Sequence, residues 1–567
     1  MTRRSSRRAD SHGRAPQADA RTDPAASQSR IRKLLGQRRI QALLIFVALV
    51  FAYLANGDVL PGQDATGNVR LAGKLVTQRK LVFTPDDDPF MFEWQLKTSA
   101  GERPAHFRSW LSQHQGEPIR RVYERGELTA ANPYYYLIPT RLPGVYANRY
   151  GLGAGLFAAP FVAAVYPFAP DLYQRASPSL LWHTAKVAAA CAVAGSAVFL
   201  FLAALAFVRP STAAWLALAY GLGTCVWSSS SQTLWQHGPT ELFLALGTFL
   251  LLRENRVRSA PWVGLSYTLA FACRPTAALA VAAAAVYYLV RDRRAFLGFA
   301  AGCLPVAVLL SVYNLHYFGQ WVVLGQLGGA AGKSPSLGAA AAQVAPTTAS
   351  SPNPFGTSFA SGLTGILLSP SRGLLVFSPA IGFLCWGMVR TWRDRTFAAL
   401  RPVSIAAVAM CLVVARWYGW WGGWCYGYRL LVDAVTLLAF FAIPVAEEIR
   451  RRRILLLACG ACLAWGFMVQ VVGAFAYDVV GWNHRAFIQV EVQGSEPRLF
   501  TDPDQARRDA WARRGSVSSV RVDVDGPRGK KRLWTLGDSQ ILYYLENFLE
   551  ARSSKQLGSE HFIHDKG

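Results

Sequence analysis

Long apolar segments, separated by short clusters of arginine, constrain the fold of this chain more than any other feature. Hydrophobic residues make up 52% of its 567 residues, and many of them fall in these segments. A helix of about 20 apolar residues crosses the hydrocarbon core of a bilayer. We therefore predict a mainly α-helical, polytopic transmembrane bundle with about eleven spans. The segments are 40–55, 180–208, 213–227, 241–252, 262–273, 276–290, 296–318, 374–388, 403–417, 430–446 and 454–475.

The basic residues indicate how the chain is oriented in the membrane. Its formal charge is +25, from 59 Lys and Arg against 34 Asp and Glu. Lysine and arginine are retained on the cytoplasmic side of a membrane, so topology explains the excess and no nucleic-acid partner is expected. We expect a multi-pass protein of the bacterial inner membrane, with a cytoplasmic N-terminus and an external, periplasmic C-terminus. The basic clusters lie at 38–39, 253–258, 291–294, 390–395 and 450–453.

The polar segments between and before the spans differ in character. Residues 1–37 lack apolar periodicity and are predicted to be a disordered, basic cytoplasmic tail, followed by a transmembrane domain over 38–475. Residues 56–150 and 319–372 are predicted external loops. Residues 151–169 are apolar but short, and are expected to form an interfacial helix on the outer face, a membrane span being the alternative.

The last part of the chain, residues 476–567, is polar. Alternation of apolar and polar residues predicts strands at 486–492 and 517–524. Helices are expected at 503–514 and 539–552. We therefore predict a small external α+β domain.

The polar residues suited to chemistry lie mostly on the predicted external side. The sequence contains no GxxxxGK[ST] phosphate loop and no HExxH zinc motif. Nucleotide-activated substrates are not normally available outside the cell, so an enzyme acting there needs an activated substrate delivered through the membrane. A lipid-phosphate-linked sugar meets this need. Its transfer requires a carboxylate to accept the proton of the attacking hydroxyl, and cations to hold the phosphate.

Two carboxylates, Asp58 and Asp64, follow the first apolar segment and are the predicted catalytic residues. The alternative is an ordinary turn, because Asn-Gly-Asp is strong turn chemistry, and this applies more to Asp58. Further along, Asp86, Asp87 and Asp88 form an acidic turn. Their hard oxygens could hold a divalent cation, although a solvated acidic turn is equally consistent with the sequence. No cofactor is otherwise indicated.

Cationic candidates for binding the donor phosphate are Arg274, Arg372, Arg429 and His237. Each lies at a predicted external end of a span, and the three arginines run against the positive-inside rule. Arginine presents a planar fork that suits phosphate oxygens. The alternatives are lipid headgroup contacts, a polar cap in the case of the histidine, and an ion pair of Arg429 with Asp433 one helical turn away.

A dense aromatic cluster, with interleaved glycines, fills the stretch WYGWWGGWCYGYR at 417–429. Interfacial belts enrich Trp and Tyr in any membrane protein. The glycines nevertheless favour a shaped surface, since glycine allows close approach of the backbone. The predicted sugar- or acceptor-binding residues are Trp235, Gln236, Trp421, Trp424 and Tyr428.

Several short motifs resemble those of bacterial membrane glycosyltransferases of the GT-C superfamily, over roughly residues 40–475. They are Asp64-Ala-Thr-Gly-Asn68, the stretch 75–88 with its acidic turn, the segment from Asn148 to Pro160, Trp235-Gln-His-Gly238, Ser369-Pro-Ser-Arg-Gly373 and Trp424-Cys-Tyr-Gly-Tyr-Arg429. The resemblance implies inverting transfer of a sugar from a polyprenyl-phosphate carrier on the external face. It implies that Asp64 is the general base or binds next to it. It also implies that helices of the first loop cap the donor site.

The expected partners are therefore a polyprenyl-phosphate-linked sugar, membrane lipid, and a cell-envelope glycan, lipid or protein as acceptor. A lipid-linked-glycan ligase would share this topology. A transporter or flippase for lipid or glycan is the alternative from another class. The polar residues concentrate on one predicted face and no two-fold repeat is visible, which favours an enzyme.

Overall fold

The computed structural model describes residues 24–60, 62–98, 101–105, 128–173, 179–253, 255–325, 353–492, 495–550 and 552. The first 23 residues of the predicted tail, part of the first polar loop and half of the second lie outside these ranges. The first helix begins at Pro24, inside the segment that the sequence assigned to a disordered tail.

The described chain is mainly helical, and each predicted apolar segment contains helix. Five helices are long and apolar enough to cross a membrane, by length and composition: Gly36–Leu54, Ser179–Ala204, Arg293–Phe318, Arg395–Arg416 and Arg453–Phe475. The other segments form shorter or interrupted helices, so the number of spans stays a prediction. The helices through the second polar loop are α1 (Pro24–Leu54), α2 (Gln63–Gln78), α3 (Gly153–Val165), α4 (Ser179–Ala204), α5 (Pro210–Gly223), α6 (His237–Leu251), α7 (Arg256–Cys273), α8 (Ala278–Arg291) and α9 (Arg293–Phe318).

The helices after the second polar loop include one that the sequence did not predict. This helix, α10 (Phe359–Leu368), lies within the predicted loop 319–372. It is apolar but only 10 residues long, which is shorter than a membrane span. The others are α11 (Leu374–Phe377), α12 (Gly382–Arg393), α13 (Arg401–Arg416), α14 (Val432–Ala439), α15 (Ala446–Arg451) and α16 (Arg453–Phe475).

Close backbone contact between α7 and α9 is made possible by small residues. A Cβ added at Gly302 would overlap the carbonyl of Pro261, and one at Gly264 would overlap the carbonyl of Phe299. In an apolar surrounding, helices associate through such close packing, because there is little hydrophobic drive between them. These glycines therefore fix the distance between the two helices.

The first polar loop folds against the helices around α2. Its strands are β1 (Phe92–Thr98), β2 (Gly101–Ala105), β3 (Leu128–Pro133), β4 (Leu137–Pro139) and β5 (Tyr146–Asn148). The first three form an antiparallel sheet of order β2-β1-β3, and β4 pairs with β5. Helix α3 with the turn after it, Gly153–Phe168, is short and apolar. It packs on α2, where Gly155 contacts Leu71. Its placement at the membrane interface stays a prediction.

The chain beyond α16 forms a small antiparallel sheet of order β7-β6-β8 with helices around it. Its strands run close to the two predicted ones, with the short β7 added. The elements are β6 (His484–Glu491), β7 (Arg498–Phe500), α17 (Pro503–Arg513), β8 (Ser516–Asp523), α18 (Pro527–Arg532) and α19 (Gln540–Glu546).

Candidate functional site

Asp64 lies in the first turn of α2, where the chain turns back after α1. An acidic residue there is favoured by the positive end of the helix dipole. Gly62, at the start of the helix, packs so closely on the Trp235 ring that a Cβ would overlap it. The side chain of Asp64 keeps 21% of its surface exposed. The carboxylate is thus held against the protein but is still reachable from outside.

Three side chains grip this carboxylate. Tyr135 and Tyr150 donate their hydroxyls to Asp64 Oδ1, at 2.5 and 2.7 Å. Arg429 Nη2 lies 2.9 Å from Asp64 Oδ2. Burial alone would raise the pKa of Asp64, but the Arg429 charge and the tyrosine hydrogen bonds outweigh it and hold the pKa below its ordinary value. The carboxylate is therefore ionised at neutral pH.

Neither tyrosine was predicted from the sequence as a site residue. Burial and the Asp64 charge raise the pKa of both phenols well above its usual value, so they remain donors. Arg149 holds one of them by donating from Nη1 to the Tyr135 carbonyl at 2.9 Å. A signal was present, since Tyr150 falls within the Asn148-to-Pro160 motif and Tyr135 within the run of three tyrosines at 134–136.

Arg429 is positioned by the glycine-rich loop before it. Gly422, Gly423 and Gly427 have φ values of +78°, +66° and +57°, a region that favours glycine. The loop turns the Gly422 carbonyl onto Arg429 Nη2 at 2.9 Å. The guanidinium carbon lies 4.3 Å above the centre of the Trp235 ring, a cation–π contact. Arg429 Nε is buried and has no hydrogen-bond partner among the described residues.

A second charged cluster involves His237 and Arg274. Arg274 Nη1 lies 2.7 Å from Asp433 Oδ2, and His237 Nδ1 lies 3.2 Å from Asp433 Oδ1. Arg274 also contacts the imidazole, with Nη1 3.0 Å from Nε2. The ion pair of Arg429 with Asp433, the alternative suggested by their spacing, is not formed. Asp433 instead pairs with Arg274, and Arg429 pairs with Asp64.

Arg372, a predicted phosphate ligand, is surrounded by acceptors of the protein itself. Its Nε and Nη groups donate to five acceptors: the carbonyls of Trp421, Ser371 and Gly423 and the side chains of Gln540 and Asn483, at 2.7–3.2 Å. An arginine has five N–H donors, so the protein itself uses all of them. The side chain is 1% exposed. Arg372 thus ties the loop at 421–423 to the C-terminal segment and leaves no donor for a phosphate.

The predicted sugar-binding aromatics are also mostly engaged with the protein. Trp421 and Trp424 donate their indole N–H groups to Asp525 and Asp523, at 2.7 and 2.9 Å. The buried Tyr428 hydroxyl accepts from the Cys225 amide at 3.0 Å. These contacts hold the glycine-rich loop in place, and sugar binding by the three rings stays a prediction.

Trp235 and Gln236, the other two predicted sugar-binding residues, directly precede α6. Trp235 faces Arg429, as described above. The Gln236 side chain is 6% exposed, and its Oε1 has no partner among the described residues. Both remain candidates for contact with a ligand.

Asp58 does not share the surroundings of Asp64. It is half-buried, and its carbonyl oxygen accepts from the buried Lys186 ammonium, which also donates to Asn56 Oδ1 at 2.5 Å. These contacts hold the turn after α1. This agrees with the turn interpretation of Asp58, and a catalytic role for its side chain stays a prediction.

The acidic turn is neutralised by lysines. Asp88 is fully buried against Lys74 and also accepts from the Tyr173 hydroxyl. Asp87 pairs with Lys80 at 2.6 Å, and Asp86 is exposed. Within the described ranges, no group of three or more His, Cys, Asp or Glu side chains is placed to hold a metal ion.

Comparison with known proteins gives a structural likeness but no match in sequence. No protein-family model matches the sequence, and no curated protein matches it either. Among solved structures, the chain is similar to ArnT from Cupriavidus metallidurans bound to undecaprenyl phosphate, with a TM-score of 0.42 and 13% identity. The match covers 76% of this chain and 69% of that one. This similarity is too low to assign a site residue or an activity to the chain, so its function is inferred from the contacts of its own side chains.

Proposed function

We propose that this chain is a membrane glycosyltransferase that moves a sugar from a polyprenyl-phosphate carrier to an acceptor at the external face of the bacterial inner membrane. The observation that carries the proposal is the ionised, partly exposed Asp64 carboxylate in direct contact with Arg429. The pair joins a proton acceptor to a phosphate-binding cation in one site. The neighbouring apolar helices supply a surface for the lipid chain.

The proposed reaction is a displacement at C1 of the donor sugar. An acceptor hydroxyl attacks C1 of the donor sugar while its proton passes to Asp64. The bond from C1 to the phosphate oxygen breaks, and its electron pair leaves with the polyprenyl phosphate. Attack from the face opposite the leaving group inverts the configuration at C1. Arg429 stabilises the negative charge that develops on the phosphate.

The polar groups around Arg429 support a phosphate site. Its Nε and the Trp235 Nε1 are buried donors that lack a partner among the described residues. An unpaired buried donor is costly, so such groups are commonly satisfied by a ligand or water. Two donors next to a cation suit an anionic oxygen. We propose that His237 and Arg274 support this site electrostatically rather than bind the phosphate, since Asp433 holds both of them.

The test is sugar transfer by the purified, full-length protein from a panel of synthetic polyprenyl-phosphate sugars. We expect wild type to transfer at least one sugar. Asp64→Asn should lose transfer by about 10²–10⁴-fold, the usual contribution of a general base. A matched control is Asp504→Asn, the same change at a carboxylate on α17 whose side chain is 74% exposed. The control should retain full activity.

Two results would contradict the proposal. One is an Asp64→Asn variant with wild-type transfer rates. The other is absence of transfer with every donor, together with movement of a labelled lipid or glycan across proteoliposomes that depends on this protein. The second result would favour a transporter or flippase instead.

A further inference from the structure

Arg429 is held by its neighbours in a way that makes Asp64 a competitor for it. Arg429 Nη2 donates to both Asp64 Oδ2 and the Gly422 carbonyl, each at 2.9 Å. The opposite charges of the pair cancel, so the site presents little net charge to an arriving anion. The Gly422 contact and the Trp235 ring do not depend on Asp64. Arg429 can therefore keep its position when its ion pair with Asp64 is broken.

The other cations near this region are already committed. Arg274 is paired with Asp433, and Arg372 uses all its donors on neutral protein acceptors. Lys186 is 2% exposed and donates to Asn56 and to the Asp58 carbonyl. Arg274 and Arg429 each keep a buried Nε without a partner among the described residues. The carboxylate paired with Arg274 is 3% exposed at its side chain, whereas the one paired with Arg429 is 21% exposed. Of these two arginines, Arg429 is thus the one paired with a partly exposed carboxylate.

Resting on the function proposed above, we propose that the lipid phosphate and Asp64 compete for Arg429. The arriving phosphate takes the guanidinium, and the carboxylate is released from its ion pair. Tyr135 and Tyr150 still hold Oδ1, so the released carboxylate stays in place. It loses the cation that suppressed its basicity and gains a nearby negative charge. Donor binding thus converts a neutralised carboxylate into a working base.

Competition for Arg429 predicts that loss of Asp64 changes the affinity for the lipid phosphate. Removing a catalytic carboxylate should tighten lipid-phosphate binding, because Arg429 is then free. Coupling between two binding sites usually amounts to about 5–150-fold. For Asp64→Asn we expect an affinity gain of about tenfold, near the lower end of that range. Arg429→Gln should weaken binding by at least a similar factor, about tenfold.

The experiment is calorimetric titration of the full-length protein in detergent with farnesyl phosphate, a short polyprenyl monophosphate. It is run on wild type, Asp64→Asn, Arg429→Gln and the double variant, with Asp504→Asn as the control. Farnesol, which has the same chain without phosphate, is titrated in parallel. The expected result is tighter phosphate binding in Asp64→Asn only while Arg429 is present, and no change with farnesol. Asp64→Ala should show the same gain, which covers a failure of the asparagine variant to fold.

Three outcomes would overturn the inference. They are unchanged or weaker binding in both Asp64 variants, a gain that persists in the double variant, and an equal gain with farnesol. Binding is measured without turnover, so the result is independent of the transfer assay. A chain that shows the gain but transfers no sugar would refute the proposed function and leave the competition intact.

Discussion

Replacing Arg372 with lysine tests the structural role that the contacts give this residue. Five protein acceptors surround the guanidinium, and a lysine ammonium has three donors. At least two buried acceptors therefore lose their hydrogen bond. Each loss costs about 1–3 kcal/mol, so Arg372→Lys should destabilise the protein by about 2–6 kcal/mol.

The loss should be concentrated at the junction between the loop at 421–423 and the C-terminal segment. Full-length protein is compared by thermal unfolding and by limited trypsin digestion. We expect a lower unfolding midpoint and faster cleavage between 498 and 532, a stretch rich in arginine and lysine. Farnesyl phosphate binding should be unchanged, because Arg372 has no donor to spare.

Arg390→Lys serves as the matched control. Arg390 is 44% exposed at its side chain and pairs with Glu448, so the same change should cost less than about 1 kcal/mol. The reasoning is refuted if Arg372→Lys unfolds with the wild-type midpoint and digests at the wild-type rate. Wild-type stability combined with weaker phosphate binding would restore the phosphate role predicted from the sequence.

Two further predictions concern carboxylates of the first polar loop. The folded pKa of Asp64 lies below its unfolded value of about 3.9, so its stabilising contribution is complete above that pH and is lost as the pH falls through the folded pKa. The difference in unfolding midpoint between wild type and Asp64→Asn should therefore be constant from about pH 5 to 8 and shrink below about pH 4. A difference that already shrinks between about pH 7 and 5 would contradict the ion pair of Asp64 with Arg429. Lys74 and Asp88 are both fully buried, so Lys74→Met or Asp88→Asn alone should cost about 3–5 kcal/mol. In thermal or denaturant unfolding, the double variant should lose less than the sum of the single losses, and strict additivity would show that the two charges are not coupled.

The sequence suggested Asp64 and Arg429 as site residues but did not predict that they pair with each other. Hydropathy and basic clusters put Asp64 and Arg429 on one side of the predicted membrane, because that depends only on the order of spans. It could not say which carboxylate each arginine meets. Local spacing suggested Asp433 for Arg429, whereas the fold brings Arg274, at the end of α7, to Asp433 on α14. Helical spacing identifies neighbours within one helix, but a partner on another helix depends on tertiary packing.

The contacts of Arg372 could not be predicted for a physical reason of the same kind. An arginine at the external end of a span has the right chemistry for phosphate, and sequence does not show whether its donors are already used. The acceptors come from 371, 421, 423, 483 and 540, which are distant along the chain. Tyr135 and Tyr150 were missed for the converse reason. Their value lies in hydroxyls that meet Asp64 only after the strands of the first polar loop have paired.

Helix α2 connects two of the features described above. Asp64 begins the helix and Lys74, its buried link to Asp88, lies ten residues later, about 15 Å along the axis. The acidic turn therefore anchors the same helix that carries the Asp64 carboxylate, and we expect a displacement of Asp88 to change the position of Asp64. Residues that never contact a substrate can in this way set the alignment of the base.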